Sequence, residues 1–336
     1  MRKTWTSQPA GLQQIVSRGE FLRSAGATAL TVIGGAPLLS TFTAAKGSAG
    51  ASPLPITEIA PGVFVHQGRH ALFTPENGGD ISNCGFVVGR DAVAVIDTGG
   101  SARVGQGLSA AVRSVTDRPV RYVVNTHMHP DHVFGNAAFD ADNTTFIAHH
   151  KMARGLAARA ERYLAVNAKL LGETAFAGTR IVLPNRAVQQ QSVIDLGGRE
   201  LVLDAQRTAH TDNDLTVRDV TTGTVFMGDL LFSGHVPTID GSIRGWIAVI
   251  AALQQGQAAR VVPGHGPPSM PWPEAASDLM RYLDHVRTGV QAAIKSGRTL
   301  GQAAETVGLE EKDAWMLFNE YHPRNVSAAF AELEWE

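Results

Sequence analysis

The chain has 336 residues, 44% of them hydrophobic, and a formal net charge of −2 from 29 lysines and arginines against 31 acidic residues. That length suffices for one large core plus an appendage, and the near-neutral, slightly acidic balance gives no electrostatic footing for nucleic acid. The single cysteine, Cys84, excludes an intramolecular disulfide and reads as a packing residue.

Residues 1–51 read as an export segment to be set apart from the fold. Arg18-Gly19-Glu20-Phe21-Leu22-Arg23 precedes an Ala/Gly-rich apolar stretch from Ala25 to about Leu39, and Ala49-Gly50-Ala51 offers a cleavage site. The arrangement resembles a twin-arginine signal, which carries a folded metalloprotein across the membrane, but Gly19 stands where the second arginine would be, so the general secretory route stays open. The apolar stretch is too short and too rich in glycine to span a bilayer comfortably. The expectation is a periplasmic protein without stable membrane insertion. Residues 1–51 hold five cations against Glu20 alone, so the remaining chain moves from −2 to −6.

Residues 52–270 carry the strand signals. Phe86 to Ile96 reads as a hairpin apolar on both arms, turning at Gly89-Arg90-Asp91, and Leu196-Gly197-Gly198-Arg199-Glu200-Leu201 and Val220-Thr221-Thr222-Gly223-Thr224-Val225 are further turns between strands. Val120-Arg121-Tyr122-Val123-Val124 is a short β-branched and aromatic run of the kind found in buried parallel strands. Strands, then helices, then strands again imply two sheets between helical layers.

One residue after Val124 comes Thr126-His127-Met128-His129-Pro130-Asp131-His132, three imidazoles and a carboxylate in seven residues. Alternation in an extended segment lets His127 and His129 converge on one cation, while Asp131 and His132 come a step later and suit a second. Ligands at the carboxyl end of a strand sit at the mouth of the sheet, where α/β proteins place their sites. Imidazole and carboxylate without thiolate fit zinc best, with iron or manganese next. His210, Asp229 and His265 follow later, each after a strand-like run and beside small residues or a turn.

These motifs, taken in order over residues 57–270, resemble the metallo-β-lactamase-fold hydrolase superfamily. The resemblance implies an αββα sandwich in the α/β class. It makes His127, His129 and His210 ligands of a first metal and Asp131, His132 and His265 ligands of a second, with Asp229 bridging. Asp97, in Val95-Ile96-Asp97-Thr98, matches the acid that the family keeps at a strand end to brace the metal loop. Two zinc ions per chain would activate a water that attacks a thioester, ester or lactone carbon, with Asp131 and Asp229 orienting the nucleophile and moving protons. Asp229 argues against the β-lactamase branch that carries a cysteine ligand there.

Thr57 to Gly68, Asp240-Gly241-Ser242 with Trp246, and the ending Glu332-Leu333-Glu334-Trp335-Glu336 look more specifically like the quinoprotein relay system zinc metallohydrolases. Those are related to an accessory hydrolase of thiosulfate-oxidation clusters, which implies a small-molecule substrate and a periplasmic quinoprotein or sulfur-carrier partner. Two other readings stay open. Persulfide dioxygenases of this fold bind one iron through the first histidine set, and an accessory protein would use the metal site for binding alone.

The remaining histidines separate by context. His149 and His150 precede a helical stretch and read as capping or packing residues, His285 and His322 as ordinary members of C-terminal helices, and one of His66, His70 and His235 as a candidate substrate contact. Residues 271–336 read as a helical extension, with amphipathic runs from Trp272 to Val286, Leu309 to Phe318 and Val326 to Leu333, a break at Gly297, and aromatics Trp315, Phe318, Tyr321, Phe330 and Trp335 for packing or a dimer surface.

Overall fold

The computed structural model describes residues 51–335. The export segment expected over 1–51 therefore lies, apart from Ala51, outside the described residues. Among these no helix is long and apolar enough to cross a membrane.

The chain opens with β1 (Thr57–Ala60), β2 (Val63–His66), β3 (Cys84–Val88) and β4 (Val93–Ile96), which pair in sequence as antiparallel neighbours. The Phe86–Ile96 hairpin is β3 and β4. Helix α1 (Ala102–Val115) crosses over to β5 (Val120–Val124), parallel to β4, and β6 (Thr145–His149) and β7 (Arg186–Val188) extend the sheet in parallel. Between β5 and β6 lies the short helix α2 (Pro130–Val133), and between β6 and β7 the long α3 (Met152–Phe176), kinked at Gly172. The result is a seven-stranded sheet in the order β1 to β7.

A second, five-stranded sheet holds β8 (Gln191–Asp195), β9 (Glu200–Ala205), β10 (Leu215–Asp219), β11 (Thr224–Phe232) and β12 (Arg260–His265), with β12 parallel to β11 after the crossover helix α4 (Ile243–Leu253). Both glycine turns read from the sequence join antiparallel partners here.

The sheets face each other across one apolar layer. Val63, Val87, Ala94, Ile96 and Ile147 of the first meet Ile194, Leu201, Leu203, Leu215 and Phe226 of the second. Truncating such a leucine to alanine costs roughly 2–5 kcal/mol. The outer face of the first sheet is covered by α1, which buries Val104, Leu108, Ala111 and Val112, a spacing of four, three and one that places them on one helical stripe. Ser101 caps that helix through a bond from the Val104 N–H. Helices on the outside of both sheets complete the αββα sandwich.

The other outer face is covered by α4 and by α5 (Ser277–Lys295), α6 (Leu300–Thr306) and α7 (Phe318–Leu333), whose Leu279, Leu283, Val286, Val326 and Phe330 share a core with Leu231, Trp246 and Ile250. The helical pattern expected from Leu309 to Phe318 appears only as a 3-10 turn over Leu309–Ala314. The chain leaves helical geometry at Trp315 because Met316 bonds instead to backbone beside His235: its N–H reaches the Gly234 carbonyl at 2.8 Å and its carbonyl accepts from Val236 at 3.1 Å. Helix α7 starts eight residues before Val326 and carries Pro323 in its second turn.

Candidate metal centre

Strand β5 ends at Val124, and Asn125 and Thr126 lead directly into the histidine run. Asp97, at the parallel end of β4, accepts from the Thr126 N–H at 2.8 Å and from its hydroxyl at 2.7 Å, and its Oδ2 also accepts the Nδ1 proton of His132 at 2.8 Å. One carboxylate thus fixes both ends of the loop. Asp97 adopts φ 56°, a left-handed conformation that aspartate tolerates better than most residues. His127 and His129 sit in this loop instead of a strand, and α2 turns Asp131 and His132 back toward them.

Strand β11 brings Asp229 to the same place, and two glycines make the approach possible. Gly228 has φ 51°, and a Cβ there would lie 2.5 Å from the Thr126 hydroxyl; a Cβ on Gly264 of β12 would lie 1.9 Å from Asp229 Oδ1. Asn83 ties down the end of β12 by donating from its backbone to Gly264 and from its amide to Pro263.

The seven residues singled out in the sequence meet as two adjoining groups, His127, His129, His210 and Asp229 in one and Asp131, His132 and His265 in the other. Asp229 lies between them. Its Oδ2 is 3.7 Å from His127 Nε2, 3.5 Å from His210 Nε2 and 3.5 Å from His265 Nε2, and its Oδ1 is 3.0 Å from His132 Nε2. Asp131 Oδ2 is 3.2 Å from His265 Nε2 and 3.4 Å from His132 Nε2. Tetrahedral ligands about 2.1 Å from zinc stand roughly 3.4 Å apart, so these spacings suit coordination.

Two further observations bear on whether cations fit here. His127 Nε2 is buried without any hydrogen-bond partner, and His132 Nε2 and Asp229 Oδ1, though 3.0 Å apart, form no hydrogen bond, a costly state for polar atoms unless something else satisfies them. Each imidazole is also oriented through its other nitrogen, His127 by Nδ1 3.1 Å from the Thr126 hydroxyl. His132 Nδ1 donates to Asp97, His210 Nδ1 to the Thr238 carbonyl at 2.7 Å, His265 Nδ1 to the Ile81 carbonyl at 2.9 Å, and His129 Nε2 to Asp240 Oδ2 at 3.1 Å. Such outer bonds set the tautomer and ring plane of metal-binding histidines. The donor set therefore fits a pair of divalent cations, with His129 offering Nδ1 and the other rings Nε2.

The electrostatics are consistent with that chemistry. At His127 burial prevails, holding the imidazole well below the ordinary value; His210 is brought to about 3 for the same reason. At His132 and His265 the charges of Asp229 and Asp131 more than reverse burial, raising His132 well above the ordinary value and His265 to about 9. Asp131 and Asp229 are held well below the ordinary aspartate range: burial opposes ionisation most strongly, but His132 and His265, joined at Asp229 by His127, together outweigh it. Protons on two rings thus balance the carboxylates, the role that cations take over.

A cavity of about 520 Å³ opens above the two groups. Ile81 and Phe232 form apolar wall, and His235 lines it beside His265, their rings stacked 5.0 Å apart. Of the three histidines considered as substrate contacts, His235 is the one in this cavity. His66 is buried against Asp80, with Nε2 2.7 Å from its carboxylate, and His70 stands 6.0 Å behind His235. His149 accepts from the Lys151 N–H at the start of α3 and stacks on His150, and His322 bonds the Tyr282 hydroxyl in the C-terminal core.

Sequence reasoning missed several cavity residues. Asp240 and Thr238, which hold His129 and His210, come from an irregular loop after β11. Arg159, Arg162 and Tyr163 come from α3, and Tyr321, read above as a packing residue, and Arg324 come from α7. The only signal was the spacing of Arg159, Arg162 and Tyr163, which places them on one side of a helix.

Residues 77–265 match the metallo-beta-lactamase superfamily. The chain belongs to this superfamily. A 49-residue stretch is 37% identical to the linear primary-alkylsulfatase of Pseudomonas sp. (strain ATCC 19151), covering 15% of this chain and 9% of that enzyme. Among solved structures, the stereoselective inverting sec-alkylsulfatase Pisa1 from Pseudomonas sp. superposes with a TM-score of 0.66 at 13% identity, over 83% of this chain and 50% of that one. The metallo-beta-lactamase from Pontibacter korlensis superposes with a TM-score of 0.55 at 21% identity, over 69% of this chain and 99% of that one. This superfamily member therefore spans about half the length of the sulfatase structure. At these identities the superpositions establish the shared fold.

Proposed function

We propose that this superfamily member is a dinuclear zinc hydrolase of an ester-type bond: a thioester, a carboxylic ester or lactone, or a sulfate ester of the kind named for its alkylsulfatase neighbours. The observation that carries the reading is the double donor set, in which seven side chains, five of them buried and His129 and Asp131 half-buried, present ligand atoms while Asp97, Thr238, Ile81 and Asp240 orient four of the rings. His127, His129 and His210 would hold the first cation, Asp131, His132 and His265 the second, and Asp229 both. Bound there, the cations supply Lewis acidity to the ester oxygen and lower the pKa of a water.

The protein's own groups do the rest. The Asp131 and Asp229 carboxylates, kept ionised, are the acceptors for the proton that the attacking water gives up. Ile81 and Phe232 keep bulk water off the reacting bond. Tyr163 and Tyr321 line the cavity, and burial raises both phenols to about 12, so they remain protonated and able to donate to a leaving group.

The second group, Asp131, His132 and His265, favours two cations over the single iron of a persulfide dioxygenase, for which it would have no role. Metal analysis tests the choice: about two zinc ions per chain are expected, with hydrolysis across a panel of thioesters, lactones and sulfate esters. His127→Ala should lower the content and abolish turnover. One iron per chain with oxygen-dependent activity overturns the reading.

Export to the periplasm belongs to the same proposal. The N-terminal segment should be removed, leaving a mature start between about residues 45 and 52, which fractionation with N-terminal sequencing checks. Cytoplasmic protein retaining Met1 to Ala51 would refute it.

A further inference from the structure

The wall of the cavity away from the two ligand groups carries charge that the hydrolytic reading does not use. Helix α3 presents Arg159, Arg162 and Tyr163 at helical spacing, and α7 presents Tyr321 and Arg324 from the other side. The one carboxylate among them is Asp240, already bonded to His129. Its oxygens stand 3.9 Å from both Arg159 Nη2 and Arg324 Nη2, at the limit of an ion pair, and Arg162 has no acceptor among the described residues. Three guanidinium groups thus face one committed carboxylate across a single opening, an excess of positive charge with most of its N–H donors unused. Arg159 lies one carboxylate away from His129, so the positive wall begins close to the ligand groups.

We propose that Arg159, Arg162 and Arg324 form an anion subsite that selects substrates bearing an oxyacid group, carboxylate or sulfonate, a few bonds from the ester linkage. Guanidinium groups match such anions in two-point hydrogen bonding, and the Tyr163 and Tyr321 hydroxyls add neutral donors on the same wall. The subsite gives the cavity a direction. The anion rests between α3 and α7, and the scissile bond points toward Asp131 and Asp229. This inference rests on the hydrolase reading only for which bond is cleaved; the anion site itself can be measured without turnover.

The experiment uses the zinc-loaded full chain, an Arg162→Gln/Arg324→Gln double variant and the matching double lysine variant. Calorimetric titration with glutarate reads binding directly. The expected result is binding to the wild-type protein that weakens at least tenfold in the glutamine variant and in 0.5 M salt, with partial recovery in the lysine variant, on the order expected for screened charge pairs. In parallel, kcat/KM for mono-4-nitrophenyl glutarate should exceed that for its neutral methyl ester about tenfold or more, and the glutamine variant should lose that preference mainly through KM. Glutarate binding that is absent, or unchanged by the substitutions, overturns the subsite; so do equal rates on both esters. If neither ester is hydrolysed, a simple carboxylic ester is not the bond cleaved, and the titration still decides the subsite.

Discussion

Asn325, on α7, grips the loop that carries Thr238 and Asp240: its Oδ1 accepts from the Ile239 N–H at 2.9 Å, and its amide donates to the Pro237 carbonyl at 2.6 Å and to the Tyr282 hydroxyl at 2.9 Å. The Thr238 carbonyl between those two anchors orients His210. The C-terminal helices therefore hold part of the site's outer support in place. Asn325→Ala would leave a buried N–H and a buried carbonyl without partners, so the fold should lose roughly 2–4 kcal/mol. Zinc content should fall with it. Denaturant unfolding and metal analysis check both, and a variant within about 0.5 kcal/mol of the parent would show that the loop is held by other contacts.

Asp97→Asn addresses the other end of the site. Asparagine adopts the positive φ of this position, so the backbone should survive. The amide cannot accept from Thr126 and His132 as the carboxylate does, and its NH₂ would face the His132 Nδ1 proton. Loss of such an outer partner typically costs 10–100-fold in metal affinity. Competition with a chelator measures it, and unchanged affinity would remove Asp97 from the support of the site.

Asp229→Asn should keep the fold and weaken the proposed metal pair, because a neutral amide at the centre of four imidazoles gives up the charge that would offset two dications. Stoichiometry should drop toward one zinc, and turnover by orders of magnitude. Wild-type kinetics with two zinc ions bound would show that Asp229 does not bridge.

The sequence carried the parts of this protein that obey short-range rules. The β3–β4 hairpin, the parallel β5 and both glycine turns were legible because apolar runs and turn residues report on local backbone, and the histidine run was legible because such a density of ligands has few other uses. What stayed hidden depends on distant approach. Asp240 and Thr238 support the site from an irregular loop whose place is set by Asn325, more than 80 residues away. Tyr321 and Arg324 reach the cavity because α7 folds back on the second sheet, and Trp315 leaves helical geometry because Met316 finds a backbone partner beside His235. No local pattern announces contacts of that range.

Acid stability should follow the Arg199–Asp219 pair, which joins the β8–β9 turn to the end of β10. Arg199 Nε and Nη2 donate to the two carboxylate oxygens at 3.0 and 2.7 Å, and the Asp219 side chain is fully buried. Burial alone would raise the Asp219 pKa, but the bonds from Arg199 and Thr222 prevail and hold it below the ordinary aspartate value of 3.8. A folded value below the unfolded one means that the stabilisation is complete above pH 3.8 and is lost as the pH falls through the lower folded value. Melting temperatures measured from about pH 7 down to about pH 2.5 should show this loss, and Asp219→Asn should flatten that acid limb at the expense of stability near neutrality. Arg199→Met should be worse, by roughly 3–5 kcal/mol, because it strands a buried carboxylate. Adding Asp219→Leu to Arg199→Met should recover much of that loss. An acid limb unchanged in Asp219→Asn would assign acid sensitivity to other carboxylates.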